Sequence, residues 1–213
     1  MVLQEKITNI VIAGAGGQGN LFASRVIAQA AMHKGLEVKV AESYGVAQRG
    51  GSVHSQVRFG LGDFGPLIPA HHADVILGLE PLEALRLALD YVCPATVIVT
   101  NTHAVAPVQG KANALPYPNR DDLAECFKDI QARHVFMLDA AALIQELSDV
   151  RTLNMIMVGG LIGSDAIPLS LDEVNEAVST LLSGEALQNN IAALKKGFDC
   201  TRAGQKDVSR VGG

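Results

Sequence analysis

The chain has 213 residues, 48% of them hydrophobic and 18% charged, a composition that suits one compact domain with a large core and excludes general disorder. A formal net charge of −5 argues against nucleic acid as the main partner, because binding phosphates requires a basic surface. Aromatic residues are only 4% and Trp is absent, so the core must be aliphatic and alanine-rich.

In chain order, Ile7 to Ala13 is a continuous apolar run, the pattern of a central parallel strand buried on both faces. The glycine-rich block Gly14-Ala15-Gly16-Gly17-Gln18-Gly19-Asn20 follows, and residues 18 to 34 then read as a helix stopped by Gly35. Leu36 to Ala41 is a second strand, which completes a β-α-β unit. Val53, Ser55, Val57 and Phe59 alternate with Ser52, His54, Gln56 and Arg58, predicting a half-exposed strand. Asp74 to Leu79 is a buried strand, and Pro81 fits the first turn of a helix from Leu82 to Leu89. Thr96 to Thr100 is a strand, and Asn101 to Asn119 reads as a loop. A helix over 121–131, a strand over 135–138 and a helix over 140–147 come next. The rest is helical: Thr152 to Ile162, Ser170 to Leu182, with Ser170 and Glu173 as a capping box, and Glu185 to Thr201.

This alternation predicts a doubly wound, mostly parallel open α/β sheet with helices on both faces and a helical C-terminal segment. Residues 1–203 read as one domain and 204–213 as a flexible or partner-bound tail. Any ligand belongs beyond the carboxyl ends of the strands, where the glycine turn and the 43–51 block both emerge.

A strand entering a glycine turn that opens a helix resembles a dinucleotide fingerprint, with pyrophosphate on the N–H groups of residues 16 to 19 and Glu42 as the ribose acid. Equally, Gly14, Gly16, Gly17 and Gly19 can serve close packing alone, or backbone binding to a partner. Gln18 adds an amide that both donates and accepts. In the second block, Tyr44, Gln48, Arg49, Gly50 and Gly51, the guanidinium stands beside glycines and suits bidentate capture of carboxylate or phosphate. An ion pair with a surface acid is the plainer use of that arginine. His54 lies near the strand-end crevice and is a candidate ligand contact, whereas the adjacent His71 and His72 point apart and make a poor metal pair. No complete catalytic apparatus is visible.

Cys93, Cys126 and Cys200 stand far apart without a C-x-x-C pair, a spacing that assembles neither a zinc site nor an iron–sulfur cluster. The expectation is reduced thiols in a cytoplasmic, soluble protein, since no signal peptide and no apolar run of about 20 residues is present. Mean hydropathy is positive, +0.23, which fits either a large core or apolar surface covered by another subunit.

The blocks at 14–20 and 43–53 resemble the gamma-type domain of 2-oxoacid:ferredoxin oxidoreductases. Pro66 to Pro69 followed by Ala73 to Leu85, together with Gln48 to Val53, is similar to the small (beta) subunit of indolepyruvate oxidoreductase. Asn154 to Gly159 and Asn190 to Gly197 match the family's helical C-terminal segment. The resemblance implies a subunit of a complex that decarboxylates a 2-oxoacid oxidatively to an acyl-CoA and passes electrons to ferredoxin. Thiamine diphosphate with Mg and the iron–sulfur clusters would reside in partner subunits. This chain would help close the site and support CoA or the 2-oxoacid through Gly14–Gly19 and the Arg49 block. Tyr44-Gly45 stands where indolepyruvate-type subunits usually carry His-Gly, which leaves the 2-oxoacid open. A free-standing NAD(P)-binding protein and a purely structural subunit are the alternatives.

Overall fold

The computed structural model describes residues 6–44, 51–104, 117–145, 147 and 149–208. Within them the chain forms β1 (Thr8–Ala15), α1 (Asn20–His33), β2 (Glu37–Tyr44), β3 (Ser52–Gly60), β4 (Val75–Gly78), α2 (Pro81–Tyr91), β5 (Val97–Asn101), α3 (Arg120–Asp129), β6 (His134–Leu138), α4 (Ala140–Ile144), α5 (Leu153–Gly163), α6 (Leu171–Leu181) and α7 (Gly184–Val208). A short 3-10 turn, Val150–Thr152, leads into α5. No helix among the described residues is long and apolar enough to cross a membrane.

The six strands form one sheet in the order β2-β3-β1-β4-β5-β6. β1, β4, β5 and β6 are parallel to one another, and β3 runs antiparallel to both β1 and β2. β2 therefore points the same way as β1, and β3 alone is reversed. The β-α-β expectation holds for direction but not for adjacency: β3 inserts between β1 and β2. A short connection from β2 makes β3 its hairpin partner, and the inner edge of that hairpin then closes on β1.

Both sheet faces are covered. Ile10, Ile12, Val57 and Phe59 pack with Val26, Ile27 and Met155 to Val158 on the side of α1 and α4 to α7. Val11, Ala13, Ile76 and Ile98 pack with Ala84, Leu87 and Phe127 beneath α2 and α3. Each fully buried Ile or Val contributes roughly 1.5–3 kcal/mol. Gly78 lets α2 approach, since a Cβ there would meet the Ala84 Cβ and the Thr100 Oγ1, each at 2.6 Å.

The expected half-exposure of β3 is corrected. Its alternation is real, but Ser55, Gln56 and Arg58 are buried on both faces. The polar side lies under α2 and the segment after β3. Gln56 donates to the Tyr91 hydroxyl (3.0 Å) and accepts from the Ile68 N–H (2.7 Å). Arg58 donates to Asn9 Oδ1 (2.8 Å) and to the carbonyls of Gly65 (2.7 Å) and Leu67 (2.8 Å), with its guanidinium 5.5 Å over the Phe64 ring. The hydrogen bonds of Gln56 and Arg58 are what make burial of that polar strand face tolerable.

The Ser170–Glu173 capping box forms: Glu173 N–H donates to Ser170 Oγ (3.2 Å) and Ser170 N–H to Glu173 Oε2 (2.8 Å). α7 continues to Val208, beyond the expected end at Thr201.

Candidate functional site

The sheet reverses direction of winding between β1 and β4, which places the crevice of an open α/β fold at the carboxyl ends of these strands. Gly14 lies near the end of β1, and Gly16, Gly17, Gln18 and Gly19 form the turn that follows it. Gly17 and Gly19 take φ values of 100° and 85°, left-handed conformations that favour glycine. Gln18 folds back over the turn: its Oε1 accepts from the Ala15 N–H (2.7 Å), and its own N–H donates to the Ala15 carbonyl (3.1 Å). Gly14 leaves space that side chains fill, for a Cβ there would lie 2.4 Å from Asn20 Oδ1 and 2.9 Å from Gln18 Oε1.

The second block meets the turn directly. Gly16 N–H donates to the Gly51 carbonyl (2.9 Å), and Asn20 Nδ2 donates to the Val53 carbonyl (3.1 Å) and the Ile12 carbonyl (3.4 Å). Tyr44 ends β2 opposite Val53, and Ala15 ends β1 opposite Ser52. Gln48, Arg49 and Gly50 lie outside the described residues, as does the side chain of Tyr44; their flanks, Tyr44 and Gly51, emerge beside the glycine turn. Asn154, at the start of α5, donates from Nδ2 to the Gly19 carbonyl (3.2 Å), bringing the C-terminal helices to the same point.

His54 sits on β3 opposite Ala13, half-buried on the α2 side. Burial lowers its pKa from the ordinary value, with Asp90 and Glu83 pulling the other way. Beyond β4, Glu80 is 2% exposed and caps α2 by accepting from the Glu83 N–H (2.8 Å). The Tyr117 hydroxyl donates to its other oxygen, and burial followed by that bond raises the Tyr117 pKa. Asn101 accepts from the N–H groups of His103 (3.1 Å) and Ala140 (3.3 Å) and donates to the Leu79 carbonyl (3.4 Å).

Sequence reasoning passed over Asn20, Asn154, Glu80, Asn101 and Tyr117 as site-forming groups. Glu80 carried a signal: a carboxylate between a buried strand and a helix-opening Pro81 is a helix cap. Two expectations narrow. Gly16 and Gln18, two of the four residues whose N–H groups were to cradle pyrophosphate, donate within the chain. Glu42 lies opposite Ser55, one strand further from the turn than a neighbouring β2 would place it. Among the described residues no three His, Cys, Asp or Glu side chains gather as a metal ligand set.

An open α/β sheet whose glycine turn clasps a neighbouring hairpin defines an α/β domain with a crevice at its strand ends. The pyruvate ferredoxin/flavodoxin oxidoreductase family matches residues 9–200, and the chain belongs to that family. It is 37% identical over 198 residues to the indolepyruvate oxidoreductase subunit IorB of Archaeoglobus fulgidus, covering 92% of this chain and 96% of that one. It is 22% identical over 190 residues to the common subunit gamma of the pyruvate/ketoisovalerate oxidoreductases of Pyrococcus furiosus, covering 88% and 94%. The fold matches the gamma subunit of the keto/oxoacid ferredoxin oxidoreductase from Geobacter sulfurreducens, with a TM-score of 0.66, 20% identity and coverage of 92% and 99%. It also matches the 2-oxoglutarate:ferredoxin oxidoreductase of Magnetococcus marinus solved with 2-oxoglutarate, coenzyme A and succinyl-CoA, with a TM-score of 0.70 and 22% identity over 94% of this chain and 32% of that one.

Proposed function

We propose that this chain is the non-cluster subunit of a CoA-dependent 2-oxoacid:ferredoxin oxidoreductase acting on indolepyruvate or another aryl pyruvate. The observation that carries the substrate class is the contrast in identity, 37% to an indolepyruvate oxidoreductase subunit against 22% to a gamma subunit shared by pyruvate and ketoisovalerate enzymes. Tyr44-Gly45 keeps other 2-oxoacids in the test. Thiamine diphosphate with Mg, carried by a partner subunit, supplies the decarboxylation chemistry, and iron–sulfur clusters in the partners pass electrons to ferredoxin. The protein's own contribution is to hold and orient.

In this reading the crevice at the carboxyl end of β1 and the start of β3 faces the partner in the cytoplasm, and Arg49 pairs with an anionic group of CoA or of the 2-oxoacid. The glycine turn and Asn20 hold the described flank of that block through the Gly16–Gly51 and Asn20–Val53 bonds. Gln48, Gly50, Tyr44 and His54 are further binding residues in this reading.

Purification of this chain from its host, followed by turnover of a 2-oxoacid panel with CoA and a low-potential acceptor, tests the proposal. Recovery of a thiamine- and cluster-carrying partner with fastest turnover of aryl pyruvates is the expected result. A chain recovered alone that binds NAD(P) tightly would overturn it. Arg49→Ala is expected to assemble normally and to weaken CoA or transition-state binding by ~1–3 kcal/mol, read from kcat/KM.

A further inference from the structure

β2 is an eight-residue strand at the end of the sheet: β3 takes one of its edges, and no strand among the described residues pairs with the other. An open edge of that length presents a row of backbone N–H and C=O groups, which proteins ordinarily shorten, cover or pair. The side chains of β2 alternate. Val38 and Val40 stand beside Phe59 and Val57 on the α1 face, with Leu36 just ahead of them. Glu37 and Lys39 stand beside Gly60 and Arg58 on the opposite face. Val40 is 40% exposed, and Glu37 and Lys39 are exposed and form no ion pair among the described residues.

A second copy of the chain fits this edge in one register. A two-fold axis normal to the sheet keeps each side chain on its own face, so antiparallel pairing sets a residue opposite one an even number of positions away. With the axis at Val38, Val38 meets its own copy, Leu36 meets Val40 of the second copy, and Glu37 meets Lys39 of the second copy. Symmetry repeats the last two pairs, which gives an apolar row on the α1 face and two opposite-charge pairs on the other. Neighbouring registers lose the match. An axis at Lys39 sets Lys39 against itself, one at Val40 sets Val38 against Glu42, and one at Ala41 sets Val40 against Glu42. A lysine on a strand edge repels strands that offer it no acid, so the residue that guards the edge also selects what pairs with it. We propose that β2 is a self-association edge, along which two copies of the chain join antiparallel with the two-fold axis at Val38 and make one sheet continuous across both. This pairing requires nothing of the substrate or of the crevice.

The full chain is tested alone and in the assembled complex. In a background of Cys93→Ser, Cys126→Ser and Cys200→Ser, Val38→Cys is expected to give a disulfide-linked dimer under mild oxidation. Directly opposed Cα atoms in an antiparallel pair lie about 4.5–5.5 Å apart, within disulfide reach. Val40→Cys, on the same face, is expected to stay unlinked, since its copy lies about 14 Å away along the strand. Linking of Val40→Cys in preference to Val38→Cys overturns the register and the pairing with it. Sedimentation equilibrium of the chain with its own cysteines reads the dimer Kd. Lys39→Glu sets like charges opposite each other twice and is expected to raise that Kd about tenfold, and adding Glu37→Lys is expected to restore it. A Kd indifferent to Lys39→Glu, or a double variant as weak as the single one, overturns the pairing. So does a chain that is monomeric up to millimolar concentration and gives no Val38→Cys dimer alone or in the complex, whether that cysteine stays free or links to the thiamine-carrying partner.

Discussion

His54 illustrates how one side chain records its surroundings. Burial between β3 and α2 holds the imidazole pKa below its ordinary value, although Asp90 and Glu83 favour the charged form. The native chain therefore takes up this proton less readily than the unfolded chain. As pH falls from about 6.5 through the lower native value, the unfolded state protonates first and stability declines. Thermal unfolding between about pH 7 and about pH 5 is expected to show a drop that is shallower in His54→Gln. Equal pH slopes for both proteins would exclude His54 as a source of that drop. The face of β3 that carries His54 was legible, because its alternation with Val53 and Ser55 assigns it one. The bond from Asn20 was not: a residue that opens a helix gives no sign in sequence of the carbonyl 33 positions away that it meets.

At the level of elements, α5 and α7 pack with their backbones in close approach. A Cβ on Gly159 would fall 1.9 Å from the Leu194 carbonyl oxygen, and one on Gly197 would fall 1.8 Å from that of Ile156. These contacts are with backbone, so no rotamer change relieves them. Gly159→Ala is expected to destabilise the chain by about 3 kcal/mol or more in urea unfolding. Gly204→Ala, on the same α7 but with nothing within 4 Å of the added carbon, is expected to be neutral or stabilising by up to ~1 kcal/mol. A mild Gly159→Ala effect would mean that the two helices part easily. The helices themselves were legible from apolar period and caps, as the Ser170–Glu173 box shows. Their contact was not, because glycine in a helical pattern reads equally as a weak point. For β3, the alternation was correct and the exposure was wrong. The residues that cover Gln56 and Arg58 come from Gly65 to Ile68, a stretch with no regular period to announce it.

For the molecule as a whole, the proposed place in a multi-subunit complex would make stability a property of the assembly. Leu67 at 64% and Leu89 at 75% exposure leave apolar surface uncovered in the free chain. Partner binding to the folded state alone is expected to raise the apparent Tm with partner concentration, by about 2.7 kcal/mol of added stability at ~100 times Kd. A Tm independent of partner concentration, measured by calorimetry on the mixture, would contradict such coupling. The fold class was legible because buried parallel strands and amphipathic helices alternate. The order β2-β3-β1 was not, since a strand's sequence specifies its faces and leaves its neighbours open. That order also bears on synthesis at the ribosome. Among the described residues β1 finds its hydrogen-bonding neighbours in β3 and β4, so on leaving the exit tunnel it must wait until residues 52–60 or 75–78 have followed it. Until then it is an apolar segment with both edges open, the form in which a nascent chain most needs a chaperone.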